Sequence, residues 1–262
     1  MTQTRRGAGI VHLVGAGPGA PDLLTVRAVR LLGEADIVFH DALVSPQLLL
    51  LASKAKKVSV GKRSGRHSTA QHFINKQLLD AAREYRVVVR LKGGDPMLFG
   101  RAHEEIAFLQ KNGIRVEVVP GVTAALAASA DLRVSLTQRG MSRSVTFVTP
   151  RVAKGARASS WVAAVLAADT AAIYMGAGEG AAIAAALVGA GKPSSTPVVV
   201  IENASLPGVN PRFGTLGSLA ELAPRETAGP ALILIGEVYG ELRAQADRQA
   251  AGARGRKASQ AA

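Results

Sequence analysis

Residues 10–25 read IVHLVGAGPGAPDLLT, and this stretch decides the fold class. Ile10, Val11, Leu13 and Val14 make a short apolar run of the kind that forms a buried strand. The run breaks at Gly15-Ala16-Gly17-Pro18-Gly19-Ala20-Pro21, where glycine admits tight dihedrals and proline withholds backbone donors. A helix then fits residues 22–34, with Leu24, Ala28, Leu31 and Leu32 along one face. Strand, glycine turn and helix in that order open an α/β unit with a covered, mostly parallel sheet.

The alternation continues outward from there. Strand-like runs recur at residues 36–40, 57–60, 87–91 and 115–119, and helical patterns at 104–111 and 122–130. Ser68 with Gln71 three residues later resembles a capping box, opening a helix to about residue 84. A second series places strands at 144–148, 171–175, 197–201 and 231–235, with helices at 161–168 and 178–188. The expected architecture is two α/β domains, residues 1–143 and 144–242, with mostly parallel sheets flanking a central cleft. Residues 149–157 have linker composition, and residues 243–262 lack an apolar period and read as a basic, disordered tail.

The composition narrows the class of function. With 262 residues, 48% of them apolar, the chain has enough material for a sizeable core, which excludes disorder and fibrous repeats as general descriptions. The absence of cysteine excludes disulfides, thiolate metal sites and a cysteine nucleophile, and fits a reducing, cytoplasmic setting. No uncharged apolar stretch approaches the ~18 residues of a membrane span. The net charge of +13 invites a nucleic-acid partner. Once the tail and Arg5 with Arg6 are set aside, however, the body carries roughly +7. Aromatic residues, at 4%, are few for base stacking, so a polyanionic small molecule competes with nucleic acid.

The glycine turn meets part of the dinucleotide fingerprint G-x-G-x-x-G/A, but Pro18 and Pro21 remove donors that a pyrophosphate needs, and neither Asp36 nor Asp41 is well placed for a ribose. A tight strand-to-helix turn explains it as well. Gly93-Gly94-Asp95-Pro96 follows another strand, where α/β sheets collect ligands, and Asp95 offers an acceptor for a ribose or an amine.

Six motifs in order go further. VGAGPGAPDLLT (residues 14–25), RLKGGDPMLFGR (90–101), VVPGVTAALAAS (118–129), LTQRG (136–140), IYMG (173–176) and PALILIGEV (230–238) together resemble the signatures of the tetrapyrrole methylases. The resemblance implies S-adenosylmethionine as cofactor, no metal, and two methyl transfers to ring carbons two and seven of uroporphyrinogen III. The product would be precorrin-2, on the siroheme, cobalamin or haem d1 routes, and the enzyme a homodimer. It also implies a cofactor site of Pro18, Gly93, Gly94, Asp95, Thr123, Ala124, Met175, Ala204 and Ala231. The length leaves no room for a fused precorrin-2 dehydrogenase and ferrochelatase module.

The basic residues suit a substrate with eight carboxylates. Lys54, Lys56, Lys57, Lys62, Arg63 and Arg66 form one acid-free run, and Arg133, Arg139, Arg143, Arg151, Lys154 and Arg157 another. Arg101, Arg139 and Arg151 are assigned to binding the substrate's carboxylates, Asp41 is a further substrate-binding candidate, and Arg101 and Glu104, three apart, are the catalytic candidates, Glu104 as base. A surface ion pair is the plainer account of Arg101 and Glu104. The chain departs from the family pattern at Ala42, where arginine is usual, at Ala102-His103 in place of two glycines, at Gln138 and at Arg151, where histidine is usual. His67 and His72 lack a third ligand and read as surface residues. The apolar segment 48–52 suggests a dimer surface. A ribosomal-RNA ribose methyltransferase of the same fold, a nicotinamide or flavin oxidoreductase and a non-enzymatic nucleic-acid binder remain as alternatives.

Overall fold

The computed structural model describes residues 8–60, 71–152, 159–223 and 229–248. The chain divides into two compact units, Met1–Ala124 and Ala125–Ala262. Ser68, His67 and much of the first basic run fall outside the described residues, as do Lys154 and Arg157.

In the first unit, β1 (Ile10–Gly15), β2 (Ile37–His40), β3 (Lys56–Ser59), β4 (Val87–Lys92) and β5 (Arg115–Val119) form one sheet in the order β3-β2-β4-β1-β5. Every pairing is parallel. The connecting helices are α1 (Val26–Glu34), α2 (Pro46–Leu50), α3 (Gln71–Glu84) and α4 (Ala102–Lys111). Side chains alternate across the sheet. Val11, Leu13, Ile37, Phe39 and Val88 therefore pack with Ile74, Leu78, Ala102 and Leu109 of α3 and α4. Val14, Val38, Val89 and Leu91 take the other face, against Ala28, Leu32 and Leu48 of α1 and α2.

Two local details differ from the sequence reading. Residues Pro21–Leu23 form a 3-10 turn, and α1 proper starts at Val26 because the Thr25 hydroxyl accepts the Ala28 N–H at 3.2 Å. The segment 48–52 is partly internal, since Leu48 and Ala52 are buried in the core while Leu50 and Leu51 stay exposed.

The second unit begins earlier than 143–144. Helix α5 (Ala124–Leu132) contributes Ala125, Ala127, Ala128 and Leu132 to the second unit's core, so burial rather than loop composition sets the division. Its other elements are β6 (Val145–Val148), α6 (Trp161–Ala167), β7 (Thr170–Tyr174), α7 (Gly180–Gly189), β8 (Pro197–Glu202), β9 (Asn210–Thr215), α8 (Leu219–Leu222) and β10 (Ala231–Gly236). The sheet order is β6-β7-β10-β8-β9.

The expectation of a mostly parallel sheet needs correcting here. The β6–β7 pairing is parallel, but β10 runs against both β7 and β8, and β9 runs against β8. Edge strand β9 was concealed by Pro211 and Gly214, which an edge tolerates and a central strand does not. Leu232 and Leu234 face α5, while Ile233 and Ile235 face the side covered by α6, α7 and α8. The tail is not disordered from residue 243, because residues 240–248 are helical. No helix among the described residues is long and apolar enough to cross a membrane.

Candidate active site

In an all-parallel sheet the loops after the strands share one edge. The chain leaves β1 for β2 on one side and β4 for β5 on the other, so adjacent strands β1 and β4 form a topological switch point, where α/β sheets collect ligands. There the loops meet backbone to backbone. Gly17 N–H donates to the Gly94 carbonyl at 3.2 Å and Gly94 N–H to the Gly17 carbonyl at 2.7 Å. A Cβ on Gly121 would stand 2.3 Å from the Gly94 oxygen and 2.9 Å from the Gly15 Cα, which only glycine relieves. Asp95 fastens the assembly: its Oδ2 accepts from Gly121 N–H at 2.9 Å and its Oδ1 from Met97 N–H at 2.8 Å.

This geometry counts against the dinucleotide reading. Ala16 N–H is committed to the Lys92 carbonyl and Gly17 N–H to the Gly94 carbonyl, so neither is available to a pyrophosphate. The same geometry brings together Gly93, Gly94, Asp95 and Thr123, with Pro18 adjoining Gly17.

The loop from Gly93 ends in strained backbone. Phe99 and Arg101 have φ of 52° and 56°, the left-handed region that side chains rarely adopt. Such strain clusters at functional sites. Arg101 precedes α4, and its Nε and Nη2 each donate to Glu104 at 2.7 Å, a bidentate pair with both side chains about half exposed. The hydrogen bond to Glu104 raises the Arg101 pKa, and the reciprocal bond holds Glu104 below its ordinary value. Both stay ionised across the neutral range.

Beneath this loop lies a carboxylate that the sequence reading passed over. Glu105 is fully buried and accepts from Gln71 Nε2, Lys92 Nζ and Arg90 Nε at 3.0, 3.2 and 3.3 Å. Arg90 Nη2 donates in turn to Asp41 Oδ1. Burial is the largest influence on Lys92 and pushes its pKa down, reinforced by Arg90 and opposed by Glu105. The signal was present in the sequence. Ala102, Glu105, Ile106 and Leu109 are spaced i, i+3, i+4, i+7, which puts Glu105 on the inward stripe and Glu104 off it.

In the second unit, Met175 follows β7 and Ala204 follows β8, while Ala231 begins β10. The antiparallel register of Ala231 with Glu202 and of Leu232 with Tyr174 puts all three at one edge of that sheet. Met175, in the IYMG motif, and Asn203 and Ser205, which flank Ala204, have φ of 57°, 56° and 67°, so strained backbone recurs at this edge. Ala125 N–H donates to the Tyr174 hydroxyl at 3.2 Å, tying the start of α5 to this edge. Arg139 is exposed on the tight turn closed by Gln138 and Ser142. Arg151 is exposed, with Glu179 4.0 Å away.

Other concavities lie elsewhere. One of about 520 Å³, lined by Glu34, Asp36, Lys54, Tyr85 and Arg86 among others, opens at the edge of the first sheet where strands begin, opposite the glycine loops. Among the described residues no group of His, Asp or Glu is arranged to hold a metal ion.

The motif loops, the strained backbone and the two sheets together define the class of protein. Residues 11–220 match the family model for tetrapyrrole (corrin/porphyrin) methylases, and the chain belongs to that family. It is 44% identical over 239 residues to the uroporphyrinogen-III C-methyltransferase of Pseudomonas aeruginosa, covering 91% of this chain and 97% of that protein. It is likewise 44% identical over 239 residues to the siroheme synthase of Psychrobacter cryohalolentis, covering 90% of this chain and 46% of that protein. The chain thus spans about half the length of the siroheme synthases it matches. The crystal structure of the Thermus thermophilus uroporphyrin-III C-methyl transferase complexed with S-adenyl homocysteine matches with 41% identity and a TM-score of 0.77, covering 88% of this chain and 98% of that one.

Proposed function

We propose that the chain transfers methyl groups from S-adenosylmethionine to carbons two and seven of uroporphyrinogen III, giving precorrin-2. The observation that carries this reading is the match over 97% of the length of the Pseudomonas aeruginosa uroporphyrinogen-III C-methyltransferase. The glycine loops support it independently, because they fit the cofactor. A Cβ on Gly93 would touch only Leu43, at 3.5 Å, which leaves the loop open to a ligand's close approach. The commitment of the Ala16 and Gly17 N–H groups to backbone carbonyls suits a ligand without phosphates.

When bound, S-adenosylmethionine supplies an electrophilic methyl group. In this reading Pro18, Gly93, Gly94, Asp95, Thr123, Ala124, Met175, Ala204 and Ala231 hold it. Asp41, Arg101, Arg139 and Arg151 orient the macrocycle, the arginines through its acetate and propionate groups, so that one pyrrole carbon lines up with the methyl donor. Such alignment supplies most of the acceleration. Glu104 accepts the proton released from the ring system once Arg101 leaves it for a substrate carboxylate. While Arg101 holds it, its lowered pKa makes Glu104 a weak base. Ala42 removes a cationic side chain that the family usually provides, and Arg151 supplies one in its place. The working unit is a cytoplasmic homodimer.

Calorimetric titration with S-adenosylhomocysteine tests the cofactor assignment. A saturable heat of binding is the expected result, and none from folded protein would overturn it.

A further inference from the structure

Four charged side chains lie together beneath the loop 93–101 of the first unit. Alternation along β4 puts Arg90 and Lys92 on the face that Val88 shares, the face covered by α3 and α4. Arg90, Lys92 and Glu105 are almost wholly buried, and Asp41, with 29% of its side chain exposed, is the member that reaches solvent. The contacts run in sequence, from Glu105 Oε1 to Arg90 Nε, and from Arg90 Nη2 to Asp41 Oδ1. A second branch runs from Glu105 to Lys92, whose stem lies under the loop, since a Cβ on Gly100 would stand 3.1 Å from Lys92 Cε.

This cluster is a poor device for stability alone. Buried ion pairs seldom improve on apolar packing of the same volume, and here Glu105 Oε2 is buried with no hydrogen-bond partner among the described residues. What the arrangement does supply is direction. A guanidinium clamped between two carboxylates has one orientation, and it imposes that orientation on the carboxylate at its exposed end.

We propose that Glu105 is a positioning residue of the methyl-transfer site: through Arg90 it orients the Asp41 carboxylate. It touches neither substrate nor cofactor. The inference rests on the methyltransferase reading above and deepens it.

Glu105→Gln keeps the shape of the side chain and removes its charge, leaving two buried cations to share Asp41. Turnover of uroporphyrinogen III should fall about 100-fold, while the Kd for S-adenosylhomocysteine stays within about twofold. Because Glu105 acts through Asp41, the double variant Asp41→Asn, Glu105→Gln should be no slower than Asp41→Asn alone beyond about twofold, a failure of additivity that a purely structural role does not produce. Arg90→Lys is the second variant. It retains the charge, but one ammonium cannot span both carboxylates, so a comparable loss is expected, again absent in the Asp41→Asn background. Should Glu105→Gln not fold, Arg90→Lys decides. A lowered Tm with unchanged turnover per folded molecule, or losses that multiply with Asp41→Asn, would overturn the inference alone. An unaltered protein that methylates no tetrapyrrole would overturn the functional reading and this inference with it.

Discussion

Arg101 and Glu104 form the kind of exposed ion pair that contributes little to stability, yet Arg101 occupies a left-handed backbone position that an arginine adopts only under constraint. The two observations make different predictions. If Arg101 holds a substrate carboxylate, Arg101→Ala should lower kcat steeply and leave cofactor affinity intact, with at most about 1 kcal/mol lost from stability. Arg101→Lys should recover little, because a point charge cannot replace the planar fork. Steady-state kinetics beside a melting curve separates these outcomes, and near-normal turnover by Arg101→Ala would shift the assignment to Arg139 and Arg151. Gly121→Ala addresses the glycine loops. Its methyl group would collide with the Gly94 carbonyl, so a loss of about 1–3 kcal/mol is expected, with weakened S-adenosylhomocysteine binding. At this scale the sequence revealed residue types better than their duties. Asp95 was legible as an acceptor, but its partners are the backbone of Met97 and Gly121, and only the folded chain brings a loop 26 positions away to it.

Among the elements, β1 carries a histidine whose burial can be measured. His12 lies inside the first sheet with Glu117 of β5 at 3.3 Å, and burial outweighs that carboxylate, holding the imidazole below its ordinary pKa of 6.5. The unfolded chain therefore takes up a proton before the folded one does. Its contribution to stability is complete above the unfolded value and is lost as pH falls from about 6.5 through the folded pKa. Urea unfolding at about pH 7.5 and pH 5 should show this acid loss in the unaltered protein and a smaller one in His12→Gln. Parallel strands buried on both faces read as continuous apolar runs, which is why β1, β2 and β4 were legible from sequence. Helix α2 has five residues, too few to show a period, and β9 carries the residues that usually argue against a strand. Burial on both faces, not direction, sets the apolar-run pattern, since antiparallel β8 and β10 are as continuously apolar as the parallel strands. The reversal of β10 arises from the long-range choice of neighbours, which local pattern does not record.

For the whole molecule, the division between units follows core membership, which placed α5 with the second unit although its motif is continuous with the end of the first. A dimer should sediment at twice the chain mass of 27.0 kDa, and a mass of one chain at micromolar concentration would contradict that assignment. The net charge of +13 is common to a receptor for a polycarboxylate and to an RNA-binding surface, so charge alone does not choose the acceptor of the methyl group. Anaerobic incubation of the full chain with methyl-labelled S-adenosylmethionine and either uroporphyrinogen III or ribosomal RNA makes that choice directly. The account predicts two labelled methyl groups on each macrocycle and none on RNA. Label on RNA, or an unlabelled macrocycle from folded protein that binds S-adenosylhomocysteine, would contradict it.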